Sequence, residues 1–201
     1  MTRLTFDISM SLDGCITGPD PRREAPLGDG GERLHDWMTG LTDMRASHRT
    51  VAGTPEAEIA AEAFDRLGAL VMGRAMFDAG EEPWGDEPPF GMPVFIVTHR
   101  PRETERRPGG TTYSFVTDGI ESALEQARAA AGDKDVAVVG GADLMRQYLR
   151  AGLLDELQIH LVPVLLGGGV RLFEGDQAQL ECTRVVESVG VTHLRYRPST
   201  A

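Results

Sequence analysis

Cysteine is scarce: Cys15 and Cys182 are the only two among 201 residues, and they stand far apart. A disulfide framework needs more of them, and metal spacing of the CxxC or HExxH kind is absent too. No run approaches the roughly twenty apolar residues of a membrane span. The opening Met1-Thr2-Arg3-Leu4-Thr5-Phe6-Asp7 has no signal-peptide core. Positive charge is also in short supply, with 20 Lys and Arg against 31 Asp and Glu, a net charge of −11. A surface of that sign repels phosphate backbones and anionic lipid, so neither nucleic acid nor a membrane is expected as a partner. The familiar nucleotide and hydrolase signatures are missing. No GxGxxG follows the first strand, Gly167-Gly168-Gly169 lacks the Lys-Ser/Thr of a P-loop, and GxSxG does not occur. What remains is 41% hydrophobic and 25% charged. That is the composition of a globular protein, expected to be soluble, reducing and cytoplasmic.

Strand and helix signals alternate along one uninterrupted domain, residues 1–201. Residues 4–9 alternate as a strand, and 69–72, 93–97 and 136–139 read as buried strands. Thr54-Pro55-Glu56 starts a helix whose apolar face is Ile59, Ala63, Phe64 and Leu67, with Gly68 as its end. Asp118 and Glu121 suggest a capping box for a helix with Ile120, Ala123, Leu124 and Ala127 inward. Leu144, Met145, Tyr148 and Leu149 face inward on the next helix. Strands at 156–165, 181–188 and 191–197 finish the chain, the last two as a hairpin. Loops are expected at 17–31, 80–92 and 101–110. The resulting fold class is α/β. A mixed, mainly parallel sheet of about eight strands has helices on both faces and an antiparallel C-terminal hairpin.

Ligands in such sheets bind beyond the carboxyl ends of the strands. Gly73-Arg74, Thr98-His99-Arg100 and Gly140-Gly141-Ala142-Asp143 each follow a buried strand. Cations and a glycine pair at three such ends, in an acidic protein, point to an anionic ligand: arginines grip phosphate, and glycines leave helix N–H groups open to it. His35, His48, His160 and His193 have no partner at helix or strand spacing and read as surface or packing residues.

Several segments resemble the dihydrofolate-reductase-like superfamily, in the branch of the reductase domain of riboflavin biosynthesis. They are Met10-Ser11-Leu12-Asp13-Gly14-Cys15-Ile16, Val71-Met72-Gly73-Arg74, Phe95-Ile96-Val97-Thr98-His99-Arg100, Val138-Val139-Gly140-Gly141-Ala142-Asp143-Leu144, Leu153-Leu154-Asp155-Glu156-Leu157 and Pro163-Val164-Leu165-Leu166-Gly167-Gly168-Gly169. They occur in family order across almost the whole chain. The resemblance implies an NADPH-dependent reductase of a small pyrimidine- or pterin-like heterocycle, similar to 5-amino-6-(5-phosphoribosylamino)uracil reductase. Dihydrofolate reduction and a non-catalytic nucleotide-binding module are the alternatives.

By the same resemblance Gly73 and Arg74 meet the cofactor phosphates, and Thr98, His99 and Arg100 flank the adenosine and its 2′-phosphate. Gly140, Gly141, Ala142, Asp143 and Leu144 form the pyrophosphate turn, with a cis Gly140–Gly141 peptide. Ser9 and Ile16 flank the nicotinamide. Asp13 is the catalytic candidate, as proton donor beside water, although an Asp before Gly also makes a turn. Trp37, Pro163, Leu166, Gly167 and Gly168 are the substrate candidates, and no metal is implied. Three features depart from the pattern. Met76 stands where the family has Thr, no residue matches the folate-binding carboxylate cleanly (Glu32, Asp36 and Trp37 stand roughly there), and the zinc deaminase motifs have no counterpart. A homodimer is expected, from the resemblance and from the apolar Ile159, Val162, Val164, Val185, Val186, Val189 and Val191 of the last strands.

Overall fold

The computed structural model describes residues 2–38 and 54–199; His48 lies outside them. In chain order come β1 (Leu4–Ser11), a 3-10 segment (Gly31–Met38), α1 (Pro55–Asp65), β2 (Leu67–Gly73), α2 (Arg74–Trp84) and β3 (Pro93–Val97). Then follow β4 (Glu105–Arg106), β5 (Thr112–Val116), α3 (Ile120–Ala131), β6 (Asp135–Val138) and α4 (Ala142–Arg150). β7 (Glu156–Val162), β8 (Leu180–Ser188) and β9 (Val191–Pro198) close the chain. The fold is α/β with a mainly parallel sheet and an antiparallel C-terminal hairpin, and its strands number nine rather than eight. The chain divides into two compact units, Met1–Phe6 with Arg66–Asp155 and Asp7–Asp65 with Glu156–Ala201.

In the first unit the strand order is β4-β5-β3-β2-β6, followed by the start of β1. All neighbours are parallel except β4, which pairs antiparallel with β5. Leu70, Met72, Phe77, Val94, Ile96, Tyr113 and Ala137 form its core, where the Phe77 and Tyr113 rings meet edge to face at 5.1 Å. An all-apolar strand such as β3 suits a sheet centre, where both faces are covered. β5 was not read from the sequence, and β4 is a two-residue charged edge inside an expected loop. α2 also runs into the expected 80–92 loop, as far as Trp84 with Pro83 inside it. The Trp84 ring lies against Gly80, where a Cβ would stand 2.2 Å from it, and packs on Phe90 at 4.9 Å.

Asp118 does not cap α3. The N-cap is Gly119, at φ 98°, with no side-chain cap bond, and only glycine enters that backbone region freely. α3 buries Ala123, Leu124, Ala127 and Ala131, and α4 buries Leu144, Met145 and Tyr148.

In the second unit β7, β9 and β8 follow β1 in that order, with β9 antiparallel to both of its neighbours. Leu34, Val162 and Val191 form a core on which Trp37, Val164 and Leu166 pack. The hairpin turns at Gly190, at φ 79°. β7 ends at Val162 rather than at residue 165 because Pro163 has no N–H to give a neighbouring strand. Thr54 caps α1 through the Ala57 N–H at 3.3 Å. That helix stops at Asp65 and leaves Phe64 45% exposed, while Gly68 lies inside β2. Ile159, Val162 and Val191 are buried in the unit's own core, whereas Val185 and Val189 are 60% and 96% exposed. No helix among the described residues is long and apolar enough to cross a membrane. Cys15 is buried, Cys182 is exposed, and neither is in a disulfide.

Candidate functional site

Because β3, β2 and β6 are adjacent and parallel, their carboxyl ends are neighbours in the first unit. This brings together Gly73-Arg74, Thr98-His99-Arg100 and Gly140-Gly141, as the sequence implied. The Gly73 N–H lies 3.4 Å from the Gly140 carbonyl, and the Val139 N–H donates to the Val71 carbonyl at 2.9 Å.

The Gly140–Gly141 peptide is cis. Its two glycines have different surroundings. Gly140 has φ 61°, and a Cβ there would stand 2.1 Å from the Met76 sulfur. Met76 therefore packs where it touches the glycine turn. Gly141 is the N-cap of α4 at φ −88°, with no side-chain cap bond. A Cβ on it would meet nothing among the described residues within 4 Å. The first amides of α4 thus begin beside open space. Ala142 and Leu144 are buried, so only their backbones are available to a ligand. The Asp143 carboxylate accepts a hydrogen bond from Gln147 at 2.7 Å.

Asp78, which the sequence did not single out, organises the arginines. The Arg74 Nε donates to its Oδ1 at 2.6 Å, and an Arg100 Nη donates to its Oδ2 at 2.6 Å. Burial pushes the Asp78 carboxyl up, but the two arginines outweigh it and hold it below the usual aspartate value. Arg74 also lies 5.7 Å from the centroids of both Phe77 and Phe115. Thr98 is buried, and its hydroxyl accepts the Arg100 N–H at 3.0 Å. His99 is exposed.

In the second unit Asp13 is a loop clamp. Its carboxylate accepts the Ser11 hydroxyl at 2.5 Å, the Gly167 N–H at 2.8 Å and the Leu166 N–H at 3.2 Å. The Ser11 bond, then the Gly167 N–H, hold its carboxyl down at about 2. A group ionised throughout neutral pH has no proton to give, so this geometry favours the turn role over the donor role. Asp13 also ties Leu166 and Gly167 to β1. Gly168 sits near Pro19, with its Cβ position 3.5 Å from that ring. Ile16 is buried, and its N–H donates to the Val170 carbonyl at 2.8 Å. Trp37 and Pro163 line a cleft of about 310 Å³ with Arg33, Asp36, Val162 and Val164. The Trp37 indole N–H donates to the Ser9 hydroxyl at 3.0 Å.

The histidines depart most from the sequence reading. His160 on β7 and His193 on β9 are direct cross-strand partners. They are 4% and 1% exposed, with their Nδ1 atoms 2.6 Å apart. The His160 Nε2 reaches Asp7 Oδ1 at 2.6 Å, and Trp37 packs on both rings. His35, in the 3-10 segment, has a buried Nδ1 with no hydrogen-bond partner among the described residues. Among those residues, no group of three or more His, Cys, Asp or Glu is arranged to hold a metal ion.

The sequence matches the RibD C-terminal domain over residues 2–194. The chain belongs to the RibD C-terminal domain family. Among curated proteins it is similar to the Bacillus subtilis (strain 168) protein YyaP, itself uncharacterized. The two are 24% identical over 178 residues, covering 85% of this chain and 80% of that one. Among solved structures it is similar to a Shewanella sp. PV-4 protein assigned to riboflavin biosynthesis, with a TM-score of 0.67, 22% identity and full coverage of both chains. It is also similar to dihydrofolate reductase from Enterococcus faecalis, solved with NADP(H) and RAB-propyl. That TM-score is 0.60 at 14% identity, over 98% of this chain and 97% of that one. These likenesses establish the fold. In this RibD C-terminal domain, the open position at Gly141 and the arginine pair at the neighbouring strand end suit a phosphate-bearing dinucleotide, which needs close backbone approach and cationic partners.

Proposed function

We propose that this chain is an NADPH-dependent reductase of a small pyrimidine- or pterin-like heterocycle. The observation that carries the reading is the position at Gly141, where α4 begins and a Cβ would meet no atom of the described residues within 4 Å. Family membership and the likeness to a dihydrofolate reductase solved with NADP(H) support it. In this reading Gly73, Gly140 and Gly141 let the backbone approach the cofactor phosphates, with Ala142, Asp143 and Leu144 contributing amides. Arg74 meets the cofactor phosphates with Gly73, and Arg100 takes the 2′-phosphate, beside Thr98 and His99. Ser9 and Ile16 adjoin the nicotinamide, and Trp37, Pro163, Leu166, Gly167 and Gly168 receive the heterocycle. A reduced nicotinamide dinucleotide, when bound, supplies the hydride; the protein binds, orients and excludes water.

The test is NADPH oxidation followed over a panel of pterins, flavins and pyrimidinones, 5-amino-6-(5-phosphoribosylamino)uracil included. Oxidation with a member of the panel is expected. NADPH binding without oxidation of any member would turn the assignment to a nucleotide-binding module.

Asp78 sets a further expectation. Both arginines are already charge-paired with it, so an incoming phosphate must displace its carboxylate. Asp78→Asn should tighten NADPH about 3- to 10-fold, the scale of one surface ion pair or slightly more, and NADH by less. Calorimetric titration with each cofactor checks this, and equal shifts for both would refute it.

The assembly is proposed to be a homodimer, with the exposed Val185 and Val189 of the hairpin in its interface. Light scattering should give about twice the 21.8 kDa of one chain. A mass of one chain at micromolar concentration would refute it.

A further inference from the structure

The sheet of the second unit carries a buried polar row under its 3-10 segment. His160 on β7 and His193 on β9 stand opposite each other. On the same face, two residues along each strand, lie Val162 and Val191. Two residues the other way lie Gln158 and Arg195, and Arg195 donates to Glu62 of α1 at 2.8 Å. The segment Gly31–Met38 covers this face. Leu34 packs with Val162 and Val191, and the Trp37 ring lies 4.6 Å from His160 and 5.1 Å from His193.

The row has places for two protons and no good place for a third. His160 Nε2 meets Asp7 Oδ1 at 2.6 Å, and the two Nδ1 atoms meet at 2.6 Å. Each contact has room for one proton between its atoms. Two neutral rings bring two protons, and both contacts are satisfied. The nitrogen left over is His193 Nε2, which is buried with no hydrogen-bond partner among the described residues. Whichever ring is written as the cation, a third proton ends on that nitrogen, as a buried N–H without an acceptor. The same nitrogen opened to water has an acceptor at once.

The charges around the row do not reverse this. Burial first, then His160, and last Arg184 of β8 oppose a charge on His193, while Glu56 of α1 and Asp7 of β1 favour it; the outcome is a value of about 4. Arg184 and Arg195 are both engaged by Glu62. On the 3-10 segment itself, His35 is lowered by burial and then by His160, with Asp36 opposing. Its Nδ1 is a second buried nitrogen without a partner among the described residues. The sign follows: rings held below the ordinary 6.5 when folded add stability above about pH 6.5, and that stability is lost as pH falls towards the folded value.

We propose that the His160–His193 pair is an acid-sensitive latch on the 3-10 segment Gly31–Met38. Near pH 7 the segment lies closed on the two-proton row. On acidification the third proton is taken up as the segment lifts, and Trp37 leaves with it. The other hold on that side chain is the Ser9 hydroxyl, which accepts the indole N–H at 3.0 Å. Trp37 also lines the cleft with Pro163 and Val164, so acid reaches the cleft through it. The latch goes beyond the reductase reading and holds whether or not the chain turns over a substrate.

Two measurements on the full chain test this. In imidazole ¹⁵N spectra at pH 6, His193 Nε2 should be unprotonated; a proton on it in the folded chain would overturn the proton count and the latch with it. In hydrogen exchange, corrected for the intrinsic pH dependence of the chemistry, protection of the amides of residues 34–38 and of the Trp37 indole N–H should fall about 10-fold or more from pH 7 to pH 5. These groups should exchange faster than the buried amides of α3 and α4 at both pH values, which marks opening of the segment alone. His193→Gln, whose amide can still donate to His160 but takes up no proton, should reduce the fall to less than about 3-fold. A wild-type fall below 3-fold would overturn the latch, as would a His193→Gln chain that keeps the full fall. Exchange of the segment in step with α3 and α4 would make the effect one of whole-chain unfolding and overturn it too.

Discussion

Asp135→Ala is expected to destabilise the chain by about 3 kcal/mol, because it leaves several charged or polar donors without their acceptor. Asp135 opens β6 and is buried. Its Oδ1 accepts the Arg3 backbone N–H at 2.9 Å, and its Oδ2 accepts two Arg66 guanidinium N–H groups at 3.0 and 2.8 Å. An Arg3 Nη lies 3.4 Å from the same Oδ2. One carboxylate thus fastens the start of β1 and the residue before β2 to β6. Of these strands, β2 and β6 carry at their carboxyl ends Gly73-Arg74 and the Gly140–Gly141 turn. Burial pushes the Asp135 carboxyl up, but the Arg3 N–H, the Arg66 bonds and the two guanidinium charges pull it further down. Its folded value is below the ordinary 3.8. The sign follows from that depression: the contribution is fully present above about pH 4 and is lost as pH falls through the folded value. Urea unfolding of wild type and variant at pH 7 and pH 3 checks both parts. The gap between the two proteins should narrow at pH 3, and an equal gap at both pH values would refute the electrostatic account.

Most of the parallel sheet was legible because its signals are local. A short apolar run such as Val94-Phe95-Ile96, bounded by Pro and turn residues, reads as a covered strand, and glycine after a strand is a turn signal. The strand ends carrying Arg74, Arg100 and the glycine pair were therefore visible before any coordinates. β5 escaped because Thr112-Tyr113-Ser114-Phe115-Val116 sits behind a loop rich in Pro, Gly and charge, and β4 is held by two pairings that no periodicity encodes. The histidine pair was hidden for a different reason. His160 and His193 are 33 residues apart, and they meet only because β9 pairs back on β7 in one particular register. A shift of one residue would turn either ring to the opposite face. Reading the hairpin at Gly190 as far as its third strand was the one signal that could have found them. Asp78 was closer to hand, four residues after Arg74 on a helix. Its second partner, Arg100, comes from a different strand end and was not foreseeable from spacing.

The two glycines of the turn before α4 should respond to the same substitution in opposite ways. Gly140→Ala is expected to cost about 2–3 kcal/mol of stability, from placing alanine in the left-handed region and pressing a methyl group into Met76. The φ of 61° and the 2.1 Å approach to the Met76 sulfur are independent contributions. Adding Met76→Ala should relieve the second and leave the first. The double variant should then be more stable than the sum of the two single changes predicts. Gly141→Ala meets neither obstacle, because its φ of −88° suits alanine and no atom of the described residues lies within 4 Å of the new Cβ. Its stability should stay within about 0.5 kcal/mol of wild type, as for a surface change. The same methyl would fill the space that the reductase reading reserves for the cofactor's pyrophosphate. Gly141→Ala should therefore weaken NADPH 10-fold or more, about 1.4 kcal/mol of binding. Urea unfolding and NADPH titration of the four variants, Met76→Ala alone included, separate the two effects. A Gly141→Ala protein that is stable and binds NADPH as the wild type does would show that the opening before α4 is not where the cofactor lies.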